Sequence, residues 1–226
     1  MDNKAIRMEA RRLLVGKWGK LALVWLILYA IYIVSSSFSQ WSFILTLIIA
    51  GPFTLGIYNI FLKIWREEDF KIEEMFSGFK DFGRALGTYL LMTLYILLWS
   101  ILLIVPGIIA AISYSKTFFI LAEKPYLKPA EALRLSKKMM YGHKTQYFML
   151  MLSFIGWCLL SILTFGIGFL FLYSYMTMAS TIFYQQIKGE VSYEEIIIEN
   201  IDQSSGPSTE ESEKSTEEDS PNQDLY

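Results

Sequence analysis

Among 226 residues there is a single cysteine, Cys158, and a single histidine, His143. One chain therefore holds neither a disulfide framework nor a cysteine-based metal site. Cys158 lies in an apolar run and is expected to act as a small packing residue. The redox compartment cannot be read from it. His143 sits where a polar link meets an apolar run, and it is expected to be an interfacial anchor, because an imidazole needs a partner to act. Also missing are a phosphate-binding Gly-x-x-x-x-Gly-Lys-Ser/Thr loop, a His-Glu-x-x-His pair and a Gly-x-Ser-x-Gly nucleophile turn. These absences argue against an enzyme and imply no cofactor and no metal.

Asp and Glu are scarce in one particular place, the interior of the long apolar runs. That disfavours the carboxylate relay of a coupled proton or cation transporter. What the chain has in quantity is apolar surface. It is 54% hydrophobic and 16% aromatic with a mean hydropathy of +0.37, against about 45–50% apolar usage in soluble domains. The composition points to a membrane protein. The net charge of −2 hides a segregation, with 19 Lys/Arg and 10 Asp/Glu in residues 1–188 but 1 and 12 in residues 189–226. A basic body carries an acidic tail.

About 20 helical residues span a bilayer core of about 30 Å, and the apolar region from Ala85 to Ala122 is nearly twice that length. It is expected to cross and return around Pro106-Gly107. Gly51-Pro52 and Gly166-Ile167-Gly168 interrupt two further long runs, as hairpin turns or, for Gly51-Pro52, as a kink or late helix start. The expected fold is all-α, a polytopic membrane domain over residues 1–189. Its six spans cover about 18–38, 41–65, 84–105, 106–122, 146–164 and 166–187, arranged as three hairpins. The first is read as a retained helix, since Ser35-Ser36-Ser37-Phe38 gives no convincing cleavage site. Residues 190–226, acidic and nearly free of aromatics, are expected to form a largely disordered tail.

Charged segments lead into the hairpins. Residues 2–17 place Ile6, Ala10, Leu13 and Leu14 at helical spacing among Lys4, Arg7, Arg11, Arg12 and Lys17, which fits either a surface-lying amphipathic helix or a charged stub that anchors the first span. The stretch from Lys63 to Arg84 carries Phe70, Met75, Phe76, Phe79 and Phe82 and is expected to hold a short interfacial helix. After Pro129, suited to a first helical turn, Ala132, Leu133, Leu135, Met139 and Met140 supply an apolar face beside Arg134, Lys137 and Lys138. Basic residues cluster in these links, and the opposite links have none. The positive-inside rule then puts both termini in the cytoplasm and leaves three tight turns outside.

The breaks fall 55 residues apart from Gly51 to Pro106 and 60 apart from Pro106 to Gly166. VGKWGKLALVW, FKDFGRALGTY and YGHKTQYFMLM each run from glycine, aromatic and basic residues into an apolar run. A repeat near 60 residues is the natural reading, with the generic needs of any membrane hairpin as its alternative. Successive copies of two spans keep one orientation, unlike transporters built from inverted halves.

Few polar residues lie inside the runs. Lys116, in ISYSKTFFILA, is a candidate intramembrane site by default, but the expectation preferred on its position is that its ammonium snorkels to the interface. Asn59 and Gln185 are candidates for interhelical hydrogen bonds.

On EARRLLVGKWGKLA, IVPGIIAAISYS, EALRLSKKMMYGHK and FIGWCLLSILTFGIG, the chain resembles the bacterial integral membrane family called domain of unknown function 975, over about residues 1–190. The pattern Pro-Gly-Ile, Glu123, Ala132-Leu133, Ser136 and Gly142 is also similar to the membrane portion attached to some glycerophosphodiester phosphodiesterases, whose catalytic domain has no counterpart here. The resemblance implies a bacterial cytoplasmic membrane and supplies no substrate. The resulting expectation is a non-enzymatic membrane protein acting through lipid or through protein partners, the acidic tail being available for docking. Nucleic acid is discounted as a partner, because lipid and the acidic tail compete for the basic face. The alternative is a small transporter or permease component with a path near Lys116 and Asn59. Oligomeric state is unreadable.

Overall fold

The computed structural model describes residues 2–36, 42–164 and 166–190. Among them every regular element is helical. The expected Ser-rich link near residue 38, Phe165 and the acidic tail beyond residue 190 lie outside the described residues.

Helix α1 (Asn3–Leu14) buries Ile6, Ala10, Leu13 and Leu14 and leaves Lys4, Arg11 and Arg12 exposed, as a helix with one apolar stripe must. It stops where Gly16 adopts a left-handed backbone (φ +78°), and the chain turns 92° into α2 (Trp18–Ser36). In α3 (Ser42–Trp65) the helix runs without a break through Gly51-Pro52. Of the two readings of Gly51-Pro52, the turn is not met, and the single span expected over 41–65 is. Pro52 removes the donor to the Ile48 carbonyl; one turn on, Thr54 Oγ1 donates to the Ala50 carbonyl at 2.7 Å, and a following segment packs directly on the Pro52 carbonyl.

That segment, Ile72–Asp81, is a 3₁₀ helix of 10 residues, long for its kind. Its residues eclipse every third position, and the sequence is written in threes. Ile72, Met75 and Gly78 share the face toward α3, where a Cβ on Gly78 would sit 2.0 Å from the Pro52 oxygen and one on Gly56 would sit 2.0 Å from the Met75 oxygen. Phe76, Phe79 and Phe82 form a second row, with successive ring centroids 6.3 Å apart, and Phe53 covers Phe79 edge-on at 5.1 Å. In an α-helix, at 3.6 residues per turn, each row would drift by about 60° at every step. Met75 and Phe70 are 0% and 2% exposed, each worth about 1.5–3 kcal/mol of burial.

Helix α4 (Phe82–Leu102) turns back through the extended residue Leu103 into α5 (Ile104–Tyr114). A break at Ser115-Lys116 precedes α6 (Thr117–Glu123). Helix α7 (Pro129–Met139) starts on its proline, with Glu131 returning to the Lys128 N–H at 2.8 Å. It buries Ala132, Leu133, Leu135 and Met139. Gly142 (φ +83°) then leads to α8 (Lys144–Leu152), α9 (Ile155–Leu163) and α10 (Ile167–Glu190). Among the described residues, five helical stretches, Ile44–Trp65, Ile72–Leu102, Ile104–Glu123, Lys144–Leu163 and Ile167–Lys188, are long and apolar enough to cross a membrane, and the bent α1–α2 pair makes a sixth if it is counted as one span.

The core lies beside the charged elements. Phe119, Ile120, Leu121, Phe154, Met178 and Phe183 are fully buried there, whereas the α4–α5 and α9–α10 turns expose Ile101, Ile104 and Leu163 at 76–77%. On the exposed surface, Lys20 Nζ lies 2.9 Å from Asp69, and this hydrogen bond holds the Asp69 carboxyl below its usual range.

Candidate functional site

The chemistry of the core centres on the α5–α6 break. Here the sequence reads Ser113-Tyr114-Ser115-Lys116-Thr117, and each hydroxyl bonds back to the preceding turn: Ser113 to the Ile109 carbonyl, Ser115 to that of Ile112 and Thr117 to that of Tyr114, at 2.7–2.8 Å. Such back-bonding competes with the helical ladder. Ser136 of α7 closes the gap, accepting from the Lys116 backbone N–H at 3.2 Å and donating to the Ser113 carbonyl at 2.8 Å.

Lys116 points inward. Its Nζ donates to Ser180 Oγ at 2.6 Å and to the Ser180 carbonyl at 3.2 Å, and it lies 3.8 Å from the Tyr147 ring centroid, with Phe119 and Phe183 at 5.4 and 5.2 Å. Its exposure is 0%. The snorkelling expectation is therefore overturned. The break aims the side chain at α10, and three aromatic faces with two Ser180 oxygens replace the water it would otherwise seek.

Tyr147 Oη lies 3.1 Å from Ser180 Oγ, so an alcohol, an amine and a phenol meet. An amine beside a hydroxyl is the arrangement of an activated nucleophile, which requires a substrate to reach it. Lys116, Ser180 and Tyr147 are 0%, 6% and 8% exposed, and the trio instead ties α5–α6, α8 and α10 together.

A second cluster surrounds Glu123 at the end of α6, its side chain 7% exposed. The carboxylate accepts from Tyr184 Oη at 2.9 Å, Gln185 Nε2 at 3.0 Å and Lys188 Nζ, and Arg66 approaches to 3.8 Å. Reading the sequence did not identify this site, because its α10 partners lie 61–65 residues away. One signal was available: Glu123 is the only carboxylate between Asp81 and Glu131. Beside it, Arg84 donates to the carbonyls of Leu121 and Lys124 at 3.1 Å, which satisfies the C-terminus of α6.

Asn59 stands apart from Lys116. Its Nδ2 donates to Ser77 of the 3₁₀ helix at 3.1 Å, in a polar cleft of about 340 Å³ lined also by Lys63, Arg66, Glu74 and Lys80. Gln185, expected to bond between helices, serves Glu123.

The glycine and proline candidates mark close approaches. Gly51 faces the Ala85 backbone, where a Cβ would meet its oxygen at 2.7 Å. Pro106 is the third residue of α5, so the chain reverses at Leu103, before the Pro106-Gly107 pair. A Cβ on Gly107 would lie 2.9 Å from Ser100 Cα, and one on Gly168 would lie 2.8 Å from Ser161 Cα. Both contacts span seven residues, and they recur 61 residues apart, the same device at two turns. Gly166 (φ +88°) supplies the left-handed residue at the second. His143 precedes α8, and Cys158 is half-buried in α9.

A protein family described as a protein of unknown function (DUF975) matches residues 1–113 and 101–191. No curated protein and no solved structure matches. The similarity to the membrane portion of glycerophosphodiester phosphodiesterases is not shown.

Proposed function

The chain belongs to the DUF975 family, and from that premise we propose that it is a non-enzymatic integral membrane protein acting through surrounding lipid or protein partners. Its six apolar legs form three hairpins that enter a bacterial cytoplasmic membrane from the basic face, with both termini in the cytoplasm. The observation that carries this reading is the closure of its most reactive-looking constellation. Lys116, Ser180 and Tyr147 hold three elements together and are sealed from substrate. In this reading no cofactor is needed, nucleic acid is not a partner, and the acidic segment 190–226 is the docking element.

A transporter or permease component is the alternative, and the geometry favours it less. Lys116 faces an aromatic core rather than a polar cavity, and it shares no partner with Asn59 among the described residues. Crosslinking and co-purification from cells carrying the full chain or a chain lacking 190–226 tests the proposal. Loss of specific partners on truncation is the expected result. An unchanged partner set removes the docking role, and a transport activity abolished by Lys116→Met or Asn59→Leu overturns the reading.

A further inference from the structure

We infer that the α4–α5 and α9–α10 hairpins do not emerge on the far side of the membrane but end within its hydrocarbon, as wedges in the leaflet that bears the basic face. The inference rests on the membrane reading above and replaces two of the three expected outer turns.

Two contacts set the depth. Helix α1 presents Lys4 and Arg12 outward, while Arg11 lies over the Trp157 and Tyr175 rings, so the helix lies at the interface and not among acyl chains. It is tied to α10 at Tyr175, whose hydroxyl accepts from Arg11 Nε at 3.0 Å and donates to the Arg7 carbonyl at 3.2 Å. From Tyr175 to the start of α10 at Ile167 is about 12 Å of helix. Even with the reach of both side chains added, that is about half of a core of about 30 Å.

The other hairpin gives the same answer independently. Helix α7 exposes Arg134, Lys137 and Lys138 and packs Leu133 against Ala110 and Tyr114, with Leu91, Met92 and Ile96 alongside. Its Ser136 donates to the Ser113 carbonyl. From Ser113 to the turn at Leu103 is about 15 Å, and from Ala110 about 10 Å. Were these legs to cross fully, α7 and its three exposed cations would lie beside the middle of α5, in lipid.

The chemistry of the turns fits that depth. No polar side chain occurs from Ile101 to Ile112, and Ile101 to Val105 are 64–77% exposed. The turn residue is satisfied at both backbone groups, Leu103 N–H donating to Trp99 and its carbonyl accepting from Gly107, each at 3.2 Å. Pro106 removes one donor from the start of α5. At the other turn Gly166 N–H donates to the Ser161 carbonyl at 3.1 Å and Gly168 N–H to Thr164 Oγ1 at 3.1 Å, while the Ser161 and Thr164 hydroxyls are spent on carbonyls. A turn in water needs none of this, but one in hydrocarbon does. The surface made by the two tips matches the acyl chains of one leaflet, so these two hairpins add cross-section to that leaflet alone.

The test uses the full chain with Cys158→Ala and single cysteines at Leu103, Ile104 or Leu163, each carrying an environment-sensitive fluorophore in phosphatidylcholine–phosphatidylglycerol vesicles. Tyr126 and Tyr141, 70% and 83% exposed beside the basic helices, serve as interfacial controls. Nitroxides near the acyl-chain ends should quench the tip probes several-fold more than nitroxides near the headgroup, and an impermeant maleimide should label the unmodified tip cysteines from neither side. Labelling from the face opposite Tyr141, or strongest quenching by headgroup nitroxides, overturns the inference. Leu103→Lys should lower the membrane-integrated yield several-fold, and an unchanged yield counts against it. Carbonate extraction keeps the two readings distinct: a chain that washes off refutes the membrane reading, whereas a resistant chain with labelled tips refutes only the depth.

Discussion

Lys116 Nζ and Ser180 Oγ, 64 residues apart in the chain, are hydrogen-bonded at 2.6 Å in a site with no exposure at the lysine. A buried amino group is tolerated only while its acceptors remain, and an apolar side chain in its place needs none. Lys116→Met should therefore stay within about 1.5 kcal/mol of the parent or exceed it. Ser180→Ala, which strips one acceptor and keeps the lysine, should lose about 1–3 kcal/mol. Thermal unfolding in detergent measures both, and the double variant should recover most of the Ser180→Ala loss.

The Gly107–Ser100 approach leaves no room for a methyl group. Gly107→Ala should destabilise by about 1–3 kcal/mol through overpacking, and Ser100→Gly should rescue it only in part because Ser100 Cα is itself in the way. Gly156→Ala, with nothing within 4 Å of its Cβ position, should be neutral or stabilising by up to about 1 kcal/mol. The same unfolding assay separates the two glycines.

Glu123→Gln keeps the shape of the α6–α10 cluster and removes its charge. A fully buried ion pair broken on one side costs about 3–5 kcal/mol, but the Lys188 and Arg66 side chains are 33% and 48% exposed and can turn to solvent. A loss of about 1–3 kcal/mol is expected, with faster amide exchange in α6 and the last turns of α10. Unchanged exchange there would show that the carboxylate does not lock these helices.

Thr88 is 0% exposed, and its hydroxyl has no hydrogen-bond partner among the described residues. Thr88→Val keeps the branched shape and removes the unsatisfied group. A gain near 1 kcal/mol is expected, read as a raised unfolding temperature.

Much of this architecture was legible in the order of residues. Runs of apolar residues too long for a soluble core mark the legs, and the spacing of Ile6, Ala10, Leu13 and Leu14, or of Ala132, Leu133, Leu135 and Met139, marks the buried faces of α1 and α7, because helical geometry alone brings those positions together. The stretch holding Phe70, Met75, Phe76, Phe79 and Phe82 was legible as a short helix, but its 3₁₀ winding shows only in its packing on α3. Lys116 was recognisable as an outlier in an apolar run, and Pro106-Gly107 as a break.

Tertiary structure decided the rest, because each remaining question turned on a partner far away in the chain. Whether Gly51-Pro52 turns or continues depends on Gly78 and Ala85 packing against it. Whether Lys116 reaches water or α10 depends on Ser180, Tyr147 and Phe183. Glu123 acquires its role only when Tyr184, Gln185 and Lys188 arrive. How deep a hairpin goes is not a property of its apolar length, since about 20 apolar residues are as compatible with a sealed core beside the interface as with a bilayer. Local periodicity determined the helices and their faces. Their partners, and the level at which the charged helices grip them, came from long-range packing that no local pattern encodes.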